Sequence, residues 1–283
     1  MSTSVLSIQT ELRRLGFRPF PGGEDFQVYT ELFVNDVYRI EQIKQHVLKD
    51  PVPDATVIID LGANKNWFLH LLEEKLEIGR KVKNVCYFRV EPQPLQVTYP
   101  VGGPINVYHV NRAIVPTVED HDQFLSIGYN TDFTILAGSP AGWNQRVGSE
   151  VSGLVVNEKY AEYIQTLVKN VSTTMVGVNV ETIGVKRLFD RITEELARLN
   201  VARYRALIKI DCEYQELTIA SDVLSYISQN ERWKDFLLVA ETAAGGTFEA
   251  SHRKNFVVEE YMEKTGLPDE WSFKVPYLLA QPK

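Results

Sequence analysis

Five short apolar runs of this chain each end on an acid or an amide: Asp60, Glu91, Asn111, Asp211 and Glu241. Burial of the runs does not require polar tips, and such a set suits a ligand that offers hydroxyls, an amine and an aromatic base. The first tip stands in Asp60-Leu61-Gly62-Ala63-Asn64. A glycine directly after a strand allows a tight turn and a close backbone approach. The helix after it then presents free N–H groups to a carboxylate or phosphate. Glu91, 31 residues beyond Asp60, can accept hydrogen bonds from both hydroxyls of a ribose, the task of an acid at a second strand end. A pyrophosphate would need G-x-G-x-x-G, whereas this loop continues as Lys65-Asn66-Trp67. That disfavours NAD and FAD.

Other reactive types give weaker signals. Cys86 and Cys212 sit in apolar runs and read as small buried hydrophobes, with no disulfide framework and no zinc set. The five histidines lack metal-type spacing, so no metal site is expected. His70 and His109 read as packing or surface residues, whereas His252 and Arg253 precede an expected late helix and could reach the strand-end face. Trp67, Tyr129 and Trp143 could line an acceptor pocket or belong to the core. Ser139-Pro140-Ala141-Gly142 is not a nucleophile elbow.

The elements that must position these tips alternate. Thr56-Val57-Ile58-Ile59-Asp60-Leu61, 85–90, 105–110, 206–211 and 236–240 read as strands, with helical stripes after the first (Trp67, Phe68, Leu71, Leu72, Leu76), over 185–199, and through Leu217, Ile219, Val223, Leu224 and Ile227. A helix over 256–264 and a strand over 273–279 complete the pattern. Near-continuous apolar strands between amphipathic helices predict a doubly wound, mostly parallel α/β sheet with helices on both faces. Residues 1–53 read as a helical or mixed segment that Pro51 and Pro53 close. Residues 54–283 form the main domain, broken at about 114–184 by an irregular, Gly-containing and β-like insertion of the kind that shapes a substrate site.

Composition narrows the partners. The 283 residues carry 30 Lys+Arg against 37 Asp+Glu, a net charge of −7, with 44% hydrophobic and 24% charged content. These values describe a globular chain, not a disordered or collagenous one. The acidic balance gains little from phosphate attraction, so nucleic acid is not an expected partner. No window approaches the length of a membrane span, and residues 1–17 read as a short amphipathic helix and not as a secretory signal. A soluble, cytoplasmic protein is expected.

Three ordered segments resemble the signatures of FkbM-type methyltransferases: Val57-Ile58-Ile59-Asp60-Leu61-Gly62-Ala63-Asn64, Phe88-Arg89-Val90-Glu91-Pro92 and Ile208-Lys209-Ile210-Asp211-Cys212-Glu213. Asn111-Arg112-Ala113, Val180-Glu181-Thr182-Ile183 and the stretch from Glu31-Leu32-Phe33 to Tyr38-Arg39 are fainter echoes. The resemblance spans about residues 30–245 and implies a Rossmann-like fold that uses S-adenosylmethionine. It implies that Asp60, Gly62, Ala63 and Asn64 lie against the methionyl part, Glu91 and Pro92 at the ribose, and Asn111 near the adenine. Asp211 and Glu213 would face the methyl group and the acceptor, a small-molecule or sugar hydroxyl. Methyl transfer from a sulfonium needs alignment and proton removal more than a covalent nucleophile. On the residues alone, Asp211 and Glu213 could equally cap and begin the following helix. The pattern departs from the family where Asn66 and Tyr214 replace glycines. That departure sustains an alternative, a catalytically silent module that binds a nucleoside ligand or a protein partner. Either reading requires Asp60 and Glu91 to project from neighbouring strands into one crevice.

Overall fold

The computed structural model describes residues 4–17, 19, 24–51, 53–92, 105–117, 124–130, 153–154, 175–212, 215–243, 245–264 and 274–283. They fall into two compact units. One comprises residues 1–37, 125–179 and 262–275, the other 38–124, 180–261 and 276–283. Glu213, Tyr214, Trp143 and most of the insertion lie outside the described residues.

Along the chain run α1 (Val5–Arg14), α2 (Glu24–Tyr29), α3 (Ile40–Val47), β1 (Ala55–Leu61), α4 (Trp67–Leu76), α5 (Ile78–Lys81), β2 (Val85–Val90), β3 (Ile105–Val110), β4 (Ala113–Val115), β5 (Phe124–Asn130), β6 (Gly153–Leu154) and β7 (Met175–Gly184). Then come α6 (Val185–Arg198), β8 (Tyr204–Ile210), α7 (Glu216–Gln229), β9 (Phe236–Glu241), α8 (His252–Asn255), β10 (Phe256–Lys264) and β11 (Lys274–Pro282). In the first unit Ser4 caps α1 by accepting the Ser7 N–H at 3.2 Å, a favoured N-cap arrangement. Gly16, with φ +81°, ends its last turn.

The second unit is built on a seven-stranded sheet in the order β10-β11-β9-β8-β1-β2-β3. From β9 to β3 the neighbours are parallel, and β11 runs antiparallel to β9. The chain is thus α/β, with a mostly parallel central sheet flanked by helices, as expected. Its central strands are apolar because they are covered on both faces: β1 and β8 are buried at every position. On one face Val57, Ile59, Leu61, Phe88, Val90, Ile208 and Ile210 form a continuous core with Leu188, Phe189 and Ile192 of α6 and with Ile219, Val223 and Leu224 of α7. Strand alternation sends Ile58, Asp60, Tyr87, Arg89, Leu207 and Lys209 to the other face. The strand order reverses between β1 and β8, which places the switch point, where ligands bind such sheets, at the carboxyl ends of these two strands.

Helix α3 packs with this sheet unit. His46 Nε2 lies 2.9 Å from the Ala206 carbonyl, and the buried Arg205 donates to the carbonyls of Val47, Lys49 and Pro51. Residues 256–264 are the edge strand β10 and not the expected helix. Glu259, Glu260 and Glu263 suggest a solvated helix face, yet charged side chains are also what an edge strand tolerates, and Phe256, Val257, Val258 and Tyr261 favour extended backbone. Among the described residues, no helix is long and apolar enough to cross a membrane.

Candidate functional site at the switch point

Backbone ladders continue past the strand ends and fix the loop after β1. Asp211 N–H donates to Leu61 O at 3.0 Å, and Gly62 N–H donates to Val90 O at 3.0 Å. Gly62 is required here for two reasons. Its φ is +78°, and a Cβ would lie 1.8 Å from the Asp211 carbonyl oxygen. The glycine therefore serves close packing of the β1 and β8 ends, not approach to a ligand. The next residues turn through left-handed conformations at Asn64 (φ 43°) and Asn66 (φ 63°), which asparagine tolerates, and Asn66 then leads into α4.

Arg89 of β2 and Glu91 just beyond its end hold that turn through the Asn64 backbone. Its N–H donates to Glu91 Oε2 at 2.9 Å, and its carbonyl accepts from Arg89 Nη2 at 2.6 Å. Glu91 is only 5% exposed. Ala63 is buried beneath the turn, Pro92 is half-buried, and Asn111 is exposed at the end of β3.

Asp60 is sealed, at 0% exposure. Tyr87 donates its hydroxyl to Asp60 Oδ2, and Lys209 Nζ lies 3.2 Å from Oδ1. The same ammonium donates to Gly62 O at 2.7 Å and lies 3.4 Å from Asp211 Oδ2. The ammonium thus hydrogen-bonds one carbonyl and pairs electrostatically with two carboxylates. Burial works against the charge of Lys209, but Asp211 and Asp60 outweigh it and push the pKa above the usual lysine range. Asp60 is therefore a structural anchor beneath the loop. It shares a sheet face with Arg89, its register partner, and Glu91 follows two residues on, so the two expected acids do face the same side.

Asp211 is the accessible acid, with a side chain 28% exposed. Tyr38 donates to its Oδ2 at 2.7 Å. Burial, and then the negative charge of Asp211, raise the Tyr38 pKa well above its ordinary value, so it remains a phenol and a donor. Both partners engage Oδ2, which leaves Oδ1 as the side open to a further group. Tyr38 is itself wedged edge-on between Phe68 and Tyr277, and Tyr277 donates to Glu241 Oε2 at 3.2 Å. Thus the strand tips Asp60, Glu91, Asp211 and Glu241 all belong to hydrogen-bonded networks at one end of the sheet. Two of the three fainter echoes, at 111–113 and 180–183, also meet. β4 pairs in parallel with β7, and Arg112 forms an ion pair with Glu181 at 2.6 Å.

His252 does not join this face. It is buried against Ser221 of α7, with Nε2 and Oγ 3.0 Å apart, and burial lowers its pKa. Among the described residues, no group of three or more His, Cys, Asp or Glu side chains could hold a metal ion. Sequence reasoning assigned no role to Lys209, Arg89, Tyr87 or Tyr38. The signal for the first two was present: a cation inside an otherwise apolar, doubly covered strand must have a polar partner. No protein-family model matches the chain, and no curated protein does.

Proposed function

We propose that this chain is an S-adenosylmethionine-dependent methyltransferase of Rossmann-like fold that methylates a hydroxyl of a small molecule or sugar. The observation that carries this reading is the placement of Glu91 beside the Gly62–Asn66 turn at the strand-order reversal, with the partly exposed Asp211 at the adjoining strand end. An acid in that position is what a ribose diol needs. The strand β11, antiparallel to β9 near the sheet edge, and the single-glycine loop both depart from the dinucleotide-binding pattern and weigh against a nicotinamide cofactor.

The residues fit the cofactor in part. Glu91 would take the ribose by exchanging the Asn64 N–H for the diol, Pro92 would border it, and Asn111 would meet the adenine. Gly62, Ala63 and Asn64 would lie against the methionyl portion through backbone, over the anchor made by Asp60. When bound, the cofactor supplies an electrophilic methyl group on a sulfonium. The protein's part is to align the acceptor and to receive its proton at Asp211 Oδ1, while Tyr38 and Lys209 hold the carboxylate in place through Oδ2. Glu213, two residues on, would border the acceptor.

A second reading is favoured by one observation. Asp60 is fully buried, hydrogen-bonded by Tyr87 and ion-paired with Lys209, and Asp211 already has two partners. A silent module that keeps the nucleoside site but transfers nothing would look the same at these residues. Turnover of a labelled methyl donor against a panel of hydroxylated acceptors separates the two. Methylation that Asp211→Asn reduces by about 100-fold or more, within the range of general base catalysis, supports the enzyme. Donor binding with no product from any acceptor favours the silent module.

A further inference from the structure

Between β9 and β10 the chain crosses α7, and the crossing is held by hydroxyls on one face of that helix. Thr247 N–H donates to Thr218 Oγ1 at 2.8 Å, and Glu249 N–H donates to Ser221 Oγ at 3.2 Å. Positions 218, 221 and 225 are spaced three and four apart, so Thr218, Ser221 and Ser225 form one stripe. At the near end Gly245 O accepts Leu217 N–H at 3.0 Å in the first turn of α7. A Cβ on Gly246 would lie 2.7 Å from Thr218 Oγ1, so the approach is close. At the far end His252 is 4% exposed, with Nε2 3.0 Å from Ser221 Oγ and 3.5 Å from Ser225 Oγ. Residues 245–252 are thus a strap seated on α7 by polar contacts.

The contacts at Ser221 depend on the charge of His252. Ser221 Oγ accepts from Glu249 N–H, and its own proton is given to Nε2 of a neutral imidazole. Protonation turns Nε2 into a donor. Two donors then converge on one hydroxyl, whose proton loses its acceptor. The Glu249 carboxylate stands ready as the other partner, with Oε2 4.0 Å from Nε2 and a side chain 65% exposed. We propose that His252 is a proton-operated latch: neutral, it holds residues 245–252 on α7 through Ser221; protonated, it exchanges Ser221 for the Glu249 carboxylate and releases the strap. The other groups around the ring fit this role. Phe248 and Phe256 of β10 contribute aromatic rings, and Arg253 lies over Phe248 and pairs with Glu260 of β10. Burial lowers the His252 pKa, while Glu249, the Ser221 backbone and Asp222 of α7 act against that shift. A lowered pKa in the docked strap means that docking is complete above the ordinary value of about 6.5 and weakens as pH falls through it. Release frees Leu217 N–H, six residues beyond Asp211, so the latch adjoins the candidate site without depending on what that site binds.

The test is amide hydrogen exchange read by NMR on the full chain at about pH 7.5 and 5.5, corrected for the intrinsic pH dependence of exchange. The reporters are the Thr247 and Glu249 amides, with Ile208 of the central strand β8 as the control. A pKa difference of one unit between docked and released strap is a factor of 10 in the docking equilibrium. Protection at Thr247 and Glu249 is therefore expected to fall by about 3- to 10-fold at the lower pH, with Ile208 unchanged within about 2-fold. His252→Gln, which cannot take a proton, is expected to show no such fall. Unchanged protection in the wild type overturns the latch, and so does an equal fall at Ile208 or in His252→Gln. Glu249→Gln, at an exposed position, tests the partner exchange without burdening the fold. Loss of the carboxylate disfavours the imidazolium, so the His252 ring titration is expected to move to lower pH by about 0.3 unit or more, within the range of an exposed ion pair. A ring titration that Glu249→Gln leaves in place overturns the exchange of partners on which the latch depends.

Discussion

Replacing Lys209 by Met should expose how the site is anchored. Lys209 is buried, and its ammonium meets Gly62 O at 2.7 Å, Asp60 at 3.2 Å and Asp211 at 3.4 Å. The substitution keeps the length of the stem but leaves the fully buried Asp60 with Tyr87 alone. Breaking a buried ion pair from one side costs about 3–5 kcal/mol. Asp60→Asn keeps the shape and leaves Lys209 with Asp211 and Gly62, so its cost is nearer a single hydrogen bond to a charged group, about 1.5–3 kcal/mol. The double variant contains no stranded charge at Asp60. Its loss should therefore fall short of the sum by at least about 2 kcal/mol, well beyond the roughly 0.5 kcal/mol scatter of independent sites. Urea denaturation of the four proteins at pH 7 measures this coupling. Additivity within that scatter, or a Lys209→Met cost below about 1 kcal/mol, would refute the anchor. Alkaline titration gives an independent reading. The folded-state pKa of Lys209 is raised, so its contribution is complete below the unfolded value of about 10.4 and is lost as pH climbs past it. The Lys209→Met variant should lack that alkaline decline.

Three further outcomes can be checked on the same footing. Gly62→Ala places a methyl 1.8 Å from the Asp211 carbonyl oxygen at a φ of +78°, and the combined overpacking and left-handed strain should cost about 2–5 kcal/mol in urea denaturation, with a loss below about 1 kcal/mol counting against the close contact. His46 is buried and its pKa is lowered to about 4, so the unfolded chain takes up a proton first as pH falls below 6.5. Stability present above pH 6.5 should decline by up to about 3 kcal/mol on the way to pH 4, and His46→Gln should flatten that slope. Arg205 satisfies three backbone carbonyls after α3 and pairs with Asp235 at 3.0 Å, so Arg205→Met should destabilise by about 3–5 kcal/mol and raise amide exchange across 47–51, whereas an unchanged exchange pattern would show that α3 does not depend on it.

The central strands were legible because parallel strands covered on both faces leave little choice but Val, Ile and Leu runs, as in 55–61 and 204–210. The amphipathic stripe of α6 was largely plain: of the expected Leu188, Ile192, Leu196 and Leu199, the first three are buried, whereas Leu199 lies just past the helix end and is 41% exposed. The edge strand β10 was not, since Glu and Lys at an edge carry the same polarity as a solvated helix. At the site, the glycine turn and the acid tips could be read from residue type and position. The partner of each tip could not. That Lys209 would reach across to Asp60, and that Gly62 would be needed for the Asp211 carbonyl, depend on which strands are neighbours. Strand order is set by packing across residues about 150 apart in the chain. The loop at 63–66 is similar: asparagines at positions 64 and 66 are compatible with left-handed backbone, but only the side chains of Arg89 and Glu91 show which way the turn is pulled.

The central claim is the proposal that the protein takes an adenosyl ligand at the ends of β1 and β2 through Glu91. Isothermal titration of S-adenosylhomocysteine into the wild type and Glu91→Gln, with NAD as the parallel ligand, tests it most directly. The account expects saturable heat with S-adenosylhomocysteine, at least about 10-fold weaker binding in Glu91→Gln for the loss of a charge-assisted bond to the diol, and none with NAD. Undiminished affinity in Glu91→Gln, or heat with NAD alone, would contradict it.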